Sequence, residues 1–249
     1  MIPWGRSQMK LTVFNGSPRG EESNTGTLLE HFLNGFVETQ GNTYELAYLI
    51  RVRERNKFVE MFRQAEQVLL AFPLSNDAMP SIVKEFIESL EPLRKQADNP
   101  AIGFIVQSGL PESIHSRYVE RYLEKLAVRL RCRYQGTVIR GGVEAIRIPP
   151  LLDKKIHKWI CQIGKATDFA GVGHLIDTEK LFRTLYELGR TFGRVGEIDK
   201  EIVKKLAQPE KFTRFGFWVF KTVVHNLYFN LLLKRNNAFS KKSDRPYLQ

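Results

Sequence analysis

Small polar side chains lie between the first apolar run of the chain and its first helical pattern. After Phe14 the sequence reads N-G-S-P-R-G-E-E-S-N-T, which offers four side-chain hydrogen-bond donors: Ser17, Ser23, Asn24 and Thr25. Apolar residues three and four positions apart follow and predict a helix: Leu28, Leu29, Phe32, Leu33 and Phe36. A strand, a polar loop and a helix start typically bind anions, because the first helical turn has unpaired N–H groups and a partial positive charge. The segment therefore predicts phosphate binding.

The same residue types also cap helices without binding a ligand. Thr25 alone could serve as the N-cap, and for any single serine here capping is the simpler interpretation. The whole constellation after the first strand favours phosphate, with Gly16 and Gly20 providing backbone freedom. Three other phosphate motifs are absent from the sequence: the G-x-x-x-x-G-K-[ST] loop, the G-x-G-x-x-G turn, and a loop headed by a cysteine nucleophile.

Length, composition and charge restrict the class of protein. The chain has 249 residues, 43% hydrophobic and 26% charged, which is typical of one globular domain with or without an extension. It has no apolar run of about 20 residues and no signal-peptide pattern at its start, so we expect a cytoplasmic protein. The two cysteines and five histidines show no ligand spacing, so we expect no metal. The formal net charge of +11 is compatible with phosphorylated ligands, nucleic acid or an anionic membrane.

Strand and helix patterns alternate over the first 150 residues. The sequence predicts five strands. The first is a short apolar run that ends at Phe14, and the others span residues 44–50, 67–72, 101–107 and 136–139. Helical patterns separate them at 56–65, from Pro80 onwards, and at 114–130, where the predicted apolar face is Tyr118, Tyr122, Leu126 and Leu130. This alternation predicts a parallel sheet wrapped by helices. Strand patterns then stop, so we divide the chain into a sheet domain, 1–150, and an α-helical C-terminal extension, 151–249, with helices at 151–163, 178–192 and 202–206.

Three loops of similar composition fall at the carboxyl ends of the predicted strands. They are residues 15–25, 73–80 and 107–112, and all are rich in Gly, Pro, Ser, Asn or Asp. Ligands of doubly wound sheets bind beyond these strand ends, where the strand order reverses. Each loop alone is compatible with an ordinary turn, but three at one rim of the sheet predict a binding site.

Four motifs at this rim resemble those of the flavodoxin-like NAD(P)H-dependent FMN reductases. They are N-G-S-P-R-G-x-x-S-N-T in the first loop, P-L-x-x-D-x-M-P in the second, Q-S-G-L-P-E in the third, and Gly141-Gly142 after the fifth strand. The likeness covers roughly residues 10–144. It implies a flavodoxin-like, doubly wound five-stranded parallel sheet and a noncovalently bound FMN.

The resemblance also implies which residues bind the cofactor. The FMN phosphate is expected at the first loop, on Ser17, Arg19, Ser23, Asn24 and Thr25. The ribityl chain and ring are expected along the second and third loops, at Pro73, Leu74, Ser75, Asn76, Asp77, Ser108 and Gly109. Two features depart from the family pattern: Ser75 stands where many members have an aromatic residue, and Glu21 and Glu22 bring negative charge into the phosphate loop.

The function that the resemblance implies is an FMN-dependent oxidoreductase that takes hydride from NADH or NADPH. Its electron acceptor would be small: a quinone, a nitro or azo compound, or free flavin. Such a transfer needs alignment of two rings and no protein acid or base, so we expect no catalytic side chain. Family members are commonly dimers or tetramers, so a homo-oligomer is expected, whereas nucleic acid is not. Two alternatives stay open: an electron carrier with a protein partner, and a flavin-free interaction protein on the same fold.

Residues outside the three loops give three further hypotheses. A basic stripe every four residues is expected to be a solvated helix face and not an anion site: Arg117, Arg121, Lys125 and Arg129. His115 follows the third loop and is expected at the protein surface, with a nicotinamide phosphate as its alternative contact. Residues 212–233 form an apolar, aromatic-rich helical pattern that we expect to be buried against the sheet domain or at a subunit interface. Flat binding to an anionic membrane is the alternative for this helix.

Overall fold

A five-stranded parallel sheet is the centre of the fold. The computed structural model describes residues 8–109, 112–143, 146 and 178–206, and part of the segment 211–241 (211, 213–219, 221–222, 226 and 229–241). The sheet order is β2-β1-β3-β4-β5, and every neighbouring pair is parallel. The strands are β1 (Lys10–Asn15), β2 (Thr43–Tyr48), β3 (Gln67–Leu74), β4 (Ala101–Ser108) and β5 (Tyr134–Arg140). This order confirms the predicted flavodoxin-like, doubly wound sheet.

Helices cover both faces of the sheet. Those of the described residues are α1 (Asn24–Phe36), α2 (Arg55–Gln64), α3 (Ser81–Ser89), α4 (Arg117–Arg129), α5 (Thr178–Val195), α6 (Lys200–Leu206), α7 (Arg214–Val219) and α8 (Phe229–Arg235). Apolar residues of α2, α3 and α4 pack on one face of the sheet, and those of α1, α5 and α6 pack on the other. The strands β3 and β4 are almost wholly buried between these layers, as continuous apolar runs predict for parallel strands.

Helix α5 packs directly on α1, so residues far apart in sequence share one core. Phe192 contacts the rings of Phe32 and Phe36, and a Cβ on Gly189 would overlap the carbonyl oxygen of Phe32. The predicted helix 178–192 is confirmed and ends at Val195. The predicted helix 151–163 and the domain boundary at residue 150 lie outside the described residues, and that boundary stays a prediction.

The sequence-based assignment of the apolar face of α4 was half wrong. Tyr118 is 74% exposed and Tyr122 45% exposed, whereas Val119, Leu123 and Leu126 are buried. Residues four apart advance by about 40° around a helix, so the predicted set drifts by about 120° over three steps. Only its last members reach the sheet. The basic stripe behaves as expected: Arg121, Lys125 and Arg129 are exposed, and the Arg117 guanidinium bonds Glu120 at 2.8 Å.

Two further predictions concern the C-terminal segment and metal binding. The expected burial of the segment 212–233 rests on Phe220, Val223, Val224, Leu227 and Leu231, whose side chains lie outside the described part of the chain, so it stays a prediction. Among the aromatic residues of the segment that the structure describes, Phe215, Phe217 and Trp218 are exposed. Their place in a subunit interface stays a prediction. None of the described helices has the length and apolar character needed to cross a bilayer. The part of the chain that the structure describes also contains no group of side chains that could hold a metal ion.

Candidate functional site

The three predicted loops meet at the carboxyl edge of the sheet. The strands that precede them, β1, β3 and β4, are consecutive neighbours. Leu74 at the end of β3 pairs with Ser108 at the end of β4, so the second and third loops begin at the same level. Strand order reverses between β1 and β3, because β2 lies on the other side of β1. This is the position at which doubly wound sheets bind ligands.

The first loop is held in shape by the last residue of β1. The buried Asn15 side chain accepts a hydrogen bond from the Ser17 N–H at 2.9 Å and donates one to the Gly20 carbonyl oxygen at 3.4 Å. Gly20 has a left-handed backbone, with φ of 61°, and its N–H donates to the Ser17 carbonyl oxygen. Sequence reasoning did not single out Asn15, although its amide can both donate and accept.

Ser23, and not Thr25, is the N-cap of α1. The Ser23 hydroxyl donates to the Gly20 carbonyl oxygen at 2.7 Å and accepts from the Gly26 N–H at 3.0 Å. The backbone of Ser23 is extended, which is the usual N-cap conformation. The Ser23 hydroxyl therefore both donates and accepts a hydrogen bond within the loop and the helix start. Its structural role is to fix the helix start, and helix geometry directs the other N–H groups of the first turn towards the same loop.

The other predicted phosphate ligands divide into buried and exposed groups. Ser17, Asn24 and Thr25 are buried, whereas Arg19 is exposed. The Ser17 hydroxyl accepts a long hydrogen bond, 3.3 Å, from the Arg19 N–H. Buried hydroxyls at a helix start hold defined orientations, which suits a fixed anion such as a phosphate.

Two long-range hydrogen bonds fix the start of α1 against the sheet. The Gln107 amide of β4 donates to the Thr25 hydroxyl oxygen at 3.3 Å. The Asn24 amide donates to the carbonyl oxygen of Val143, which follows the buried pair Gly141-Gly142. The first loop is thereby connected to the ends of both β4 and β5. Gln107 was not among the residues predicted for the site, because its partner is 82 positions away.

The second loop is a tight hairpin with an unusual backbone. Ser75 and Ala78 exchange two backbone hydrogen bonds, of 2.9 and 3.0 Å, across the two intervening residues. Those residues, Asn76 and Asp77, have φ values of 49° and 63°. Two successive positive φ values define a type I′ turn, which usually contains glycine. Leu74 is buried and Pro73 half-buried, while residues 75–78 are exposed. The hairpin therefore presents a preformed, strained backbone at the rim.

His115 connects the second loop to the third. Its Nδ1 lies 3.3 Å from the Asp77 carboxylate, and its Nε2 lies 3.5 Å from the Glu112 carboxylate. The sequence-based expectation of a surface histidine is correct in position, since the side chain is about one-third exposed, but it missed this bridge. The sequence signal that could have revealed the bridge was an acidic residue in each loop, Asp77 and Glu112. In the third loop Ser108 is buried and Gly109 exposed, and residues 110 and 111 lie outside the described residues.

The charges around the first loop are directed outward. Glu21 and Glu22 are both exposed, so the negative charge that departs from the family pattern lies at the surface. Burial raises the pKa of the Tyr48 hydroxyl, and the charge of Glu21 raises it further. The hydroxyl at the end of β2 therefore stays protonated. Arg140 at the end of β5 is buried, and its guanidinium donates to the Leu206 carbonyl oxygen at 3.4 Å.

Comparison with known proteins supports the fold assignment. No protein-family model matches the sequence, and no curated protein matches it either. An apo NADH:FMN oxidoreductase has a TM-score of 0.52 at 12% identity, over 82% of this chain and 96% of that one. An FMN-dependent NADH-azoreductase from Bacillus anthracis str. Ames Ancestor, in complex with FMN, gives 0.51 at 14% identity, over 75% and 98%. An NAD(P)H:quinone oxidoreductase from Methanothermobacter marburgensis gives 0.52 at 13%, over 77% and 100%.

These solved structures are of the kind that the loop motifs predicted. At identities of 12–14% the likeness shows the arrangement of strands and helices and does not extend to the ligand contacts. The chain therefore has the flavodoxin-like fold of these solved structures.

Proposed function

We propose that this protein is an FMN-dependent oxidoreductase that takes hydride from NADH or NADPH and passes electrons to a small acceptor. The observation that carries this proposal is the first loop. It is a buried, internally bonded turn that leads into a capped helix at the switch point of a flavodoxin-like sheet. The acceptor class is a quinone, a nitro or azo compound, or free flavin.

The first loop fits the phosphate of FMN. The Asn15 and Ser23 side chains hold the turn, while Ser17, Asn24 and Thr25 supply buried polar groups around the helix start. Arg19 is exposed and free to approach an anion from the solvent side. The loop backbone lies so close to the helix that a Cβ on Gly26 would come within 2.5 Å of the Glu21 carbonyl oxygen. A side chain at position 26 would therefore disturb the contact between the loop and the helix start.

The second and third loops fit the ribityl chain and the ring. Pro73 and Leu74 offer apolar contacts, the hairpin at Asn76 and Asp77 offers backbone groups, and Ser108 and Gly109 lie at the end of the neighbouring strand β4. When bound there, FMN would supply the two-electron chemistry, and the protein would supply position and electrostatics. Ser75 is small and exposed, which leaves room over the ring position for a nicotinamide or an acceptor.

The charge of the chain is consistent with a phosphorylated reductant. A net charge of +11 attracts the pyrophosphate of a nicotinamide cofactor and favours an anionic reduced flavin.

Like the proteins it resembles, the chain is proposed to form a homo-oligomer, either a dimer or a tetramer. Neither NADH nor NADPH is favoured by a described residue, so both belong in the test.

The decisive experiment is anaerobic reduction of the FMN-loaded protein. We expect NADH or NADPH to bleach the flavin within seconds and an added quinone to restore its colour. A protein that binds FMN but is reduced only by dithionite would instead be an electron carrier. A protein that binds no FMN at all would support the flavin-free alternative.

A further inference from the structure

Helix α7 places large aromatic side chains in solvent. Phe215, Phe217 and Trp218 are 52%, 55% and 61% exposed, and the rings of Phe215 and Trp218 stack with centroids 6.1 Å apart. The helix start is well formed, because the Thr213 hydroxyl accepts from the Gly216 N–H at 3.0 Å. Single exposed apolar residues are ordinary, but three aromatic residues within one turn form an apolar patch.

Among the residues of α7 whose exposure the structure describes, one is buried, and its position shows which way the aromatic side chains face. Gly216 is buried. At about 100° per residue, Phe215, Trp218 and Phe217 span an arc of about 160° centred opposite Gly216. Arg214 falls in the same outward arc and is exposed. The helix thus has its buried glycine on one side and an aromatic, basic surface on the opposite, solvent-exposed side. We call this surface, made of residues 214, 215, 217 and 218, the aromatic face.

The stretch of sequence that contains the aromatic face carries charge of one sign. The sequence from residue 211 to residue 243 contains seven Lys or Arg residues and no Asp or Glu. Six of the seven have described side chains, and all six are exposed: Lys211, Arg214, Lys221, Lys234, Arg235 and Lys241. A surface of this kind attracts a polyanion. It repels a second copy of itself, which argues against a symmetric contact between two aromatic faces.

We propose that the aromatic face binds flat on an anionic lipid bilayer. Trp and Phe side chains favour the boundary between headgroups and acyl chains. Lys and Arg side chains lay their carbon stems along that boundary and keep their charges at the lipid phosphates. Aromatic rings in a basic stretch of sequence that contains no Asp or Glu match an anionic bilayer better than a folded protein partner, which would need a complementary acidic surface. The contact is peripheral and is independent of any flavin bound at the sheet.

Vesicle co-sedimentation of the full chain tests this proposal. The probe is a phosphatidylcholine vesicle with about a quarter phosphatidylglycerol, compared with a vesicle of phosphatidylcholine alone. We expect binding to the anionic vesicle only, and release at high ionic strength because the charges are screened. The double variant Phe215→Ala, Trp218→Ala should bind about tenfold more weakly or worse, since each ring loses its burial in the interface.

A matched control uses another exposed aromatic residue beside a basic one. Tyr118 is 74% exposed, and the Arg121 guanidinium lies 5.6 Å from its ring centroid. Tyr118→Ala removes an exposed ring from a helix far along the chain, so vesicle binding should not change.

The charge variant Lys221→Glu, Arg235→Glu should weaken binding to the anionic vesicle. Thermal unfolding of each variant should match the parent, because these side chains are exposed.

Four outcomes would overturn the proposal. They are no sedimentation with either vesicle, equal sedimentation with both, unchanged binding by the Phe215→Ala, Trp218→Ala variant, and loss of binding by Tyr118→Ala. A parent protein that ignores vesicles, but forms a concentration-dependent oligomer that the double aromatic variant disperses, would assign the aromatic face to a second copy of the chain.

Discussion

Replacing each of two serines of the first loop with alanine should affect different properties: Ser23→Ala the stability of the protein, and Ser17→Ala its affinity for FMN. Ser23→Ala removes the N-cap of α1 together with the hydrogen bond to the Gly20 carbonyl oxygen. Loss of a cap costs about 0.5–2 kcal/mol. The Gly20 carbonyl keeps its second donor, the Asn15 amide, so the total should stay near 1–2 kcal/mol. For a chain of this length that corresponds to a fall in Tm of about 2–8 °C.

Ser17→Ala should instead weaken ligand binding. Its hydroxyl accepts one long hydrogen bond in the loop, and the Ser17 N–H keeps its bond to Asn15. The free energy of unfolding should therefore change by less than about 1 kcal/mol. A hydrogen bond to the charged phosphate is worth about 1.5–3 kcal/mol, so its loss should raise the Kd for FMN about tenfold to a hundredfold.

Thermal unfolding without FMN and titration of FMN fluorescence measure the two effects separately. Ser23→Thr is the matched control, because threonine also caps helices and keeps a hydroxyl that can donate to the Gly20 carbonyl oxygen; it should restore most of the lost stability. An unchanged Kd in both Ser17→Ala and Thr25→Ala would remove the first loop from the binding site. An unchanged Tm in Ser23→Ala would show that the cap is not needed to form the loop.

Three other predictions concern the packing of α5 on α1 and the burial of two titratable side chains. Gly189→Ala would push a methyl group into the Phe32 carbonyl and should destabilise the protein by about 3 kcal/mol or more, measured by urea unfolding; Arg190→Ala, at an exposed position, should not. Burial lowers the pKa of His31, which stacks on Phe182, and the charge of Glu30 opposes this shift only in part. Because the unfolded state binds this proton more tightly, stability should fall as the pH drops below about 6.5, and His31→Gln should flatten the curve. Burial raises the pKa of Cys132 to about 12, so in a Cys161→Ser background a thiol reagent should react at pH 8 only after denaturation, and reaction of the native protein would contradict the assigned burial.

The centre of the sheet was largely predictable because its strands β3 and β4 are continuous apolar runs. The runs in β3 and β4 are too short for helices and too apolar for exposed strands, so their assignment follows from pattern alone. Strand order does not follow from such patterns; it came from the resemblance of the loops to a known family. The error in α4 arose from counting by four where the helix repeats every 3.6 residues, which placed Tyr118 on the wrong side.

The site was predictable as a set of loops and not as a set of contacts. Composition located the small polar residues of the first loop, but it could not separate the capping role of Ser23 from a ligand role, because one residue type does both. The bond from Gln107 to Thr25 joins residues 82 positions apart and has no local signature. The hairpin at Asn76 and Asp77 was also hidden, since its left-handed turn contains no glycine.

The two ends of the candidate site differ in how firmly they are held. The proposed phosphate end is fixed by hydrogen bonds from β1, β4 and the residues after β5, and Ser17, Asn24 and Thr25 there are buried. The ring end rests on an exposed hairpin whose described side-chain link to the third loop is the pair of contacts at His115. A rigid anion site loses little freedom on binding, so most of the affinity for FMN should come from its phosphate. An exposed ring end is compatible with acceptors of several shapes, because few of the side chains that the structure describes there impose one.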